Sequence, residues 1–312
     1  MARRPAPDGS IGSQSSPVTK VTFIERLKRS AKPSNCVTVT GAGEVQDISH
    51  CLCCLCSPRL YHNAHVKPQN HIDNWGRVNP ILKLQIASHC PLDLALAAIN
   101  SFRDTSDNDH QLDWMYYETG HGSGIVDRLA CLKDPRASKA KKMERLKFAF
   151  DFFNLVYFGN SLTDVELQWL DGRTKLGKRA HGKTRHNKAT GKTIIYIEHT
   201  SRKLLKQGEK GLLGTLLHEM IHAYLKKYRC RHQRCLDPPV CRQLARSNTG
   251  ILGHGRAFQW LATAIEEDVC GNLDVPISIG MARSVKVETE AGGAHPSLHD
   301  LKMCFRGSSC LQ

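Results

Sequence analysis

One pentapeptide constrains this chain more than any other feature: His218-Glu219-Met220-Ile221-His222, inside a segment with helical periodicity from Gly211 to Lys227. An α-helix turns by roughly 400° over four residues, so both imidazoles emerge on one face, about one turn apart. Leu213, Leu216, Leu217, Ile221 and Leu225 give the helix an apolar face that must be buried. Two imidazoles at this spacing suit a single Zn²⁺ bound at about 2.0–2.1 Å. Glu219 projects toward the open side of such an ion, where it can take a proton from zinc-bound water whose pKa the metal has lowered. The motif therefore calls for a buried helix with a polar cleft along one side.

Two histidines do not complete a catalytic zinc site, which takes three protein ligands and leaves a fourth position for water. His254 is the preferred third ligand. It stands in Gly253-His254-Gly255, directly before a helical stretch with Phe258 and Trp260, and the flanking glycines permit close backbone approach. His232 and Glu266 are the rival candidates.

Around these residues the periodicity predicts a helix over Lys139–Tyr157, ending at Phe158-Gly159-Asn160. A half-buried strand is expected at Val165–Leu170 and a β-branched one at Lys192–His199. Between them, residues 172–191 read as a strand with a basic loop or hairpin. Thr200 or Ser201 caps a short helix through Gln207, and a last helix runs from Gly255 to Glu267. Strands grouped between helices make an α+β domain with a small three-stranded sheet, not alternating βαβ units.

The division expected is a disordered, Pro-, Gly- and Ser-rich residues 1–20, then a poorly defined region 21–138, the metal-binding domain over 139–285, and a loose tail over 286–312. Within 21–138, Val21–Arg29 reads as a short amphipathic helix, Cys36–Thr40 as a strand and Leu92–Phe102 as a helix. No segment has the ~18 apolar residues needed to span a bilayer, and the N-terminus lacks a secretory apolar core. An intracellular location is expected, where thiols stay reduced and the 13 cysteines serve as apolar residues or metal ligands. Cys51, Cys53, Cys54 and Cys56 are too tightly alternated for one tetrahedral site. Cys230, His232, Cys235 and Cys241 match no standard finger spacing.

The chain carries 44 Lys and Arg against 29 Asp and Glu, a formal charge of +15, which favours a polyanionic partner. Arg173, Lys175, Lys178, Arg179, Lys183, Arg185, Lys188 and Lys192 form a basic segment that could follow a phosphate backbone. Only Trp169 and Tyr196 lie near it, so base stacking is not expected there.

The run Thr215-Leu-Leu-His-Glu-Met-Ile-His-Ala-Tyr-Leu225, with Gly253-His-Gly-Arg-Ala-Phe258, resembles the SprT-like domain of Spartan-type metalloproteases. Tyr157-Phe-Gly-Asn-Ser-Leu162 and the strand pair are also similar, and the resemblance covers roughly residues 140–270. It implies a zincin-like fold, one catalytic zinc held by His218, His222 and His254, Glu219 as general base, and peptide-bond hydrolysis. For Spartan-type members it further implies nuclear, DNA-stimulated cleavage of proteins crosslinked to DNA. Two other readings stay open: a non-catalytic zinc-containing module that binds DNA or chromatin, and a general intracellular metallopeptidase without a DNA link. Tyr224 and the nearby histidines His181, His186 and His199 are candidates to steady an oxyanion; Tyr224, two residues past His222 on another face of the helix, is expected to pack instead.

Overall fold

The computed structural model of the chain describes the backbone of two short hairpins within residues 36–81. It describes side chains for most of residues 84–103, 134–170, 181–198, 207–229, 246–271 and 277–300. The expected Val21–Arg29 helix, the Cys51–Cys56 stretch, His199 and the cluster Cys230, His232, Cys235 and Cys241 lie outside the described residues. Strands β1 (Cys36–Val39) and β2 (Val45–Ile48) pair antiparallel, as do β3 (Gln69–Ile72) and β4 (Val78–Ile81). The first of these is the strand expected at Cys36–Thr40.

Helix α1 (Pro91–Ser106) follows, burying Leu92, Leu94, Ala95, Ala98 and Phe102. Its buried residues share one hydrophobic cluster with buried residues between Leu146 and Val285. The segment before it is tied to a later helix: Ala87 N donates to Lys227 O (3.1 Å) and His89 N to Tyr228 O (3.0 Å).

Helix α2 (Lys139–Phe158) starts where Ser138 Oγ accepts the Lys141 N–H at 3.2 Å, and stops at Gly159, whose φ of 52° is left-handed. Phe150, Phe153, Tyr157 and Phe158 are buried, and Tyr157 meets Phe102 of α1 edge to face with centroids 5.2 Å apart.

The three-stranded sheet comprises β5 (Val165–Leu170), β6 (Gly182–His186) and β7 (Thr193–Glu198), in the spatial order β5-β7-β6. β7 is central, parallel to β5 and antiparallel to β6, which makes the sheet mixed. Thr193, Ile195 and Ile197 of β7 alternate inward, as period-two patterning requires. The short, polar β6 is an edge strand and packs against helix α3 (Arg202–Tyr228).

Helix α3 combines the two helices expected from the sequence, with a break at Gly208 (φ 62°, ψ −144°). Past the break, Leu213, Leu216, Leu217, Met220 and Ile221 are buried. Helix α4 (Arg256–Asn272) crosses α1 and α3, and α5 (Met281–Glu290) closes against α4. The segment from 286 onward was expected to be a loose tail. Instead, α5 continues to Glu290 with Val285 and Glu288 buried. Beyond it, the buried Asp300 accepts from Arg256 Nε (2.8 Å) and Trp260 Nε1 (3.1 Å). The α+β class and the small three-stranded sheet are as expected.

Candidate metal centre

His218, Glu219 and His222 face the space between α3, β6 and the loop that precedes α4. His254, at the end of that loop, completes the group. His254 Nε2 lies 3.1 Å from His222 Nε2 and 3.2 Å from His218 Nε2. The three ligand atoms all lie within 4.8 Å of one another. Nitrogens about 2.0–2.1 Å from one tetrahedral ion would sit about 3.3 Å apart, so these spacings suit a shared cation.

The protonation chemistry of the donors fits as well. Burial, reinforced by the neighbouring His218 and His254 imidazoles, holds His222 well below the ordinary imidazole value. Burial, with His218 and Lys226 nearby, takes His254 down to about 3. Both are thus neutral at physiological pH and have a lone pair to offer. His218 Nδ1 lies 3.0 Å from the Ile279 carbonyl oxygen; a proton on Nδ1 satisfies that contact and leaves Nε2 for the ion.

Each imidazole has its own support. For His218 it is the 277–280 segment, which passes so close to α3 that a Cβ on Gly214 would meet Ser278 O at 2.2 Å. Glu266 fixes that segment, accepting from Ile279 N (2.5 Å) and Gly280 N (3.2 Å). Glu266, a rival ligand in the sequence, is thereby committed to backbone away from the three nitrogens. For His222 the support is Gly253 (φ 93°), where a Cβ would stand 3.1 Å from the ring. Beneath all three lies the buried Phe258, its ring centroid 4.8 Å from His218, 4.9 Å from His222 and 4.8 Å from His254.

Glu219 is buried in a slot made by β6. Its Oε2 lies 2.7 Å from Thr184 Oγ1, which also reaches the Glu219 carbonyl oxygen at 2.9 Å. Room for the side chain depends on Gly182: a Cβ there would fall 2.7 Å from Glu219 Cγ and 2.8 Å from Oε1. Burial pushes the Glu219 carboxyl above its usual range, opposed by His218, by the Thr184 hydrogen bond and by Lys226.

Of the other residues considered from sequence, Tyr224 packs: it is buried, donates to Leu94 O at 3.0 Å and lies against Phe158 and Tyr228. His181 sits 3.5 Å from Glu198, and His186 Nδ1 meets Thr193 Oγ1 at 2.8 Å. Neither joins the three nitrogens. Within the basic segment, Lys183, Arg185 and Lys192 are described. Lys192 pairs with Glu166 at 2.5 Å, and Arg185 lies over Tyr196 at 5.7 Å. No helix among the described residues is long and apolar enough to cross a membrane. Sequence reasoning missed Gly182, Thr184 and Glu288. The Gly253-His254-Gly255 run was the local sign in the sequence that something approaches this loop closely.

The arrangement defines the class: an α+β domain with three histidines, two of them on one helix, that could hold a metal ion. Residues 146–235 match the SprT-like family, which is associated with metallopeptidase activity. The matched span includes His218, Glu219 and His222 and ends before His254. No curated protein and no solved structure matches the chain.

Proposed function

We propose that this protein is a zinc-dependent endopeptidase of the SprT-like type, with His218, His222 and His254 as ligands and Glu219 as general base. The observation that carries the reading is the convergence of three imidazole nitrogens beside a buried carboxylate on the same helix. A zinc ion held by these residues would lower the pKa of a water molecule and polarise the scissile carbonyl. Glu219 takes one proton as the water oxygen attaches to the carbonyl carbon. It returns that proton to the amide nitrogen as the C–N bond breaks, leaving a carboxylic acid and an amine, and the acid's remaining water proton passes to the amine to give carboxylate and ammonium. Thr184 keeps the carboxylate aimed through this exchange, and the apolar wall around Phe258 fixes the imidazoles. The pair of histidines on one helix with a glutamate between them supports a zincin-like reading of the domain.

The positive charge of +15 supports a polyanion as partner, and the family resemblance supports proteins bound or crosslinked to DNA as substrates, in the nucleus. The test is incubation with a basic DNA-binding protein, with and without single- or double-stranded DNA. Cleavage is expected to need zinc, rise with DNA and stop with a chelator. Glu219→Gln is expected to retain zinc and lose about 10²–10⁴-fold in rate. A Glu219→Gln variant that cuts at the parental rate contradicts the mechanism, and DNA-indifferent cleavage contradicts the substrate assignment.

A further inference from the structure

His254 differs from the other two imidazoles in coming from a loop, and loops need an external brace to hold a ligand to within half an ångström. That brace is visible. Glu288, near the C-terminal end of α5, is 1% exposed, and its carboxylate is filled by backbone N–H groups of the 250–255 loop. Oε1 accepts from Ile251 N, and Oε2 accepts from Leu252 N (3.0 Å) and from His254 N (3.1 Å). The same Oε2 lies 3.9 Å from His254 Nδ1. A buried carboxylate is costly unless hydrogen-bonded, so the loop and the carboxylate stabilise each other.

The surrounding glycines are shaped to this group. A Cβ on Gly293 would fall 2.4 Å from Glu288 Oε1, and one on Gly250 (φ 82°) would fall 2.8 Å from both Oε1 and Cδ. A consequence of the bracing is that Ile251 and Leu252 keep their backbones anchored while their side chains are 57% and 46% exposed.

We infer that Glu288 is a positioning residue for the third metal ligand: α5 sets the metal affinity of a site whose other two ligands lie on α3. The inference rests on the metal reading above and adds a residue from outside the span that matches the family. Glutamine at 288 keeps the shape but presents one oxygen where two are used, and its amide N–H₂ would face backbone donors.

The experiment measures zinc affinity by competition with a chromophoric chelator, together with amide hydrogen exchange, on the full chain. In the parent, the amides of Ile251, Leu252 and His254 are expected to be protected despite their exposed loop. Glu288→Gln is expected to weaken zinc binding 10–100-fold, the scale seen for outer partners of metal ligands. It should also speed exchange across 250–255 while the 213–227 amides of α3 stay protected. Gly293→Ala keeps the carboxylate but displaces it, and is expected to act in the same direction. It decides the matter by the same criteria if Glu288→Gln does not fold. Parental zinc affinity in these variants, or freely exchanging loop amides in the parent, overturns the inference alone. A parent that binds no zinc overturns the metal reading and this inference with it.

Discussion

Glu219 and its neighbours on β6 show how closely a single side chain is specified. The slot is bounded on one side by the Thr184 hydroxyl, 2.7 Å from Oε2, and kept open on the other by the absence of a side chain at Gly182. Gly182→Ala would push a methyl group against Glu219 Cγ and Oε1, and the carboxylate must move to relieve the contact. A misplacement of about 1 Å can cost about 10²-fold in rate. Gly182→Ala is therefore expected to lower turnover by about that factor while zinc content stays at the parental level, as metal analysis beside a cleavage assay would show. Sequence alone made Glu219 legible because its neighbours in the motif have a fixed helical spacing. It could not make Gly182 legible, since that contact links residues 37 positions apart and depends on where an edge strand meets a helix.

Among the elements, α3 carries most of the site and contains one irregularity. Gly208 holds φ 62° and ψ −144° between its two helical arms, a conformation from which a Cβ is excluded at a cost of about 1–2 kcal/mol. Exchange of an interior helical glycine for alanine ordinarily stabilises by up to about 1 kcal/mol. Here the sign reverses: Gly208→Ala is expected to destabilise by about 1–2 kcal/mol in denaturant unfolding, with zinc affinity unchanged because the break lies ten residues before His218. The sequence showed two helices at this place, since cap and glycine signals are local. It did not show α5 as part of the domain. Met281–Glu290 has few large apolar residues, and beside the buried Met281 and Val285 it contributes a polar group: Glu288 buried against backbone amides, which no hydrophobic pattern records. The boundary expected at 285 thus cut the helix that braces His254.

Across the described residues, the hydrophobic core runs from α1 through α5, and the segment before α1, which pairs with the end of α3, contains the buried His89. Burial holds His89 below its ordinary value of 6.5. Below pH 6.5 the unfolded chain takes up a proton there that the folded chain refuses, so the unfolded state binds more protons and stability falls with falling pH. The contribution is present in full above 6.5 and is lost progressively as pH drops toward the folded value. His89→Gln is expected to flatten the stability–pH curve below 6.5 relative to the parent, measured as the difference between their urea midpoints; an identical slope in both would contradict this.

Three imidazoles from two separate parts of the chain are placed where they could share one metal ion, proposed above to be zinc. Zinc binding by the parent and by His254→Ala, titrated under the same conditions, decides whether they do. The parent is expected to take up a zinc ion in this site, and His254→Ala to lose it or bind it far more weakly without unfolding. A folded His254→Ala protein that binds zinc as tightly as the parent would overturn the three-histidine site.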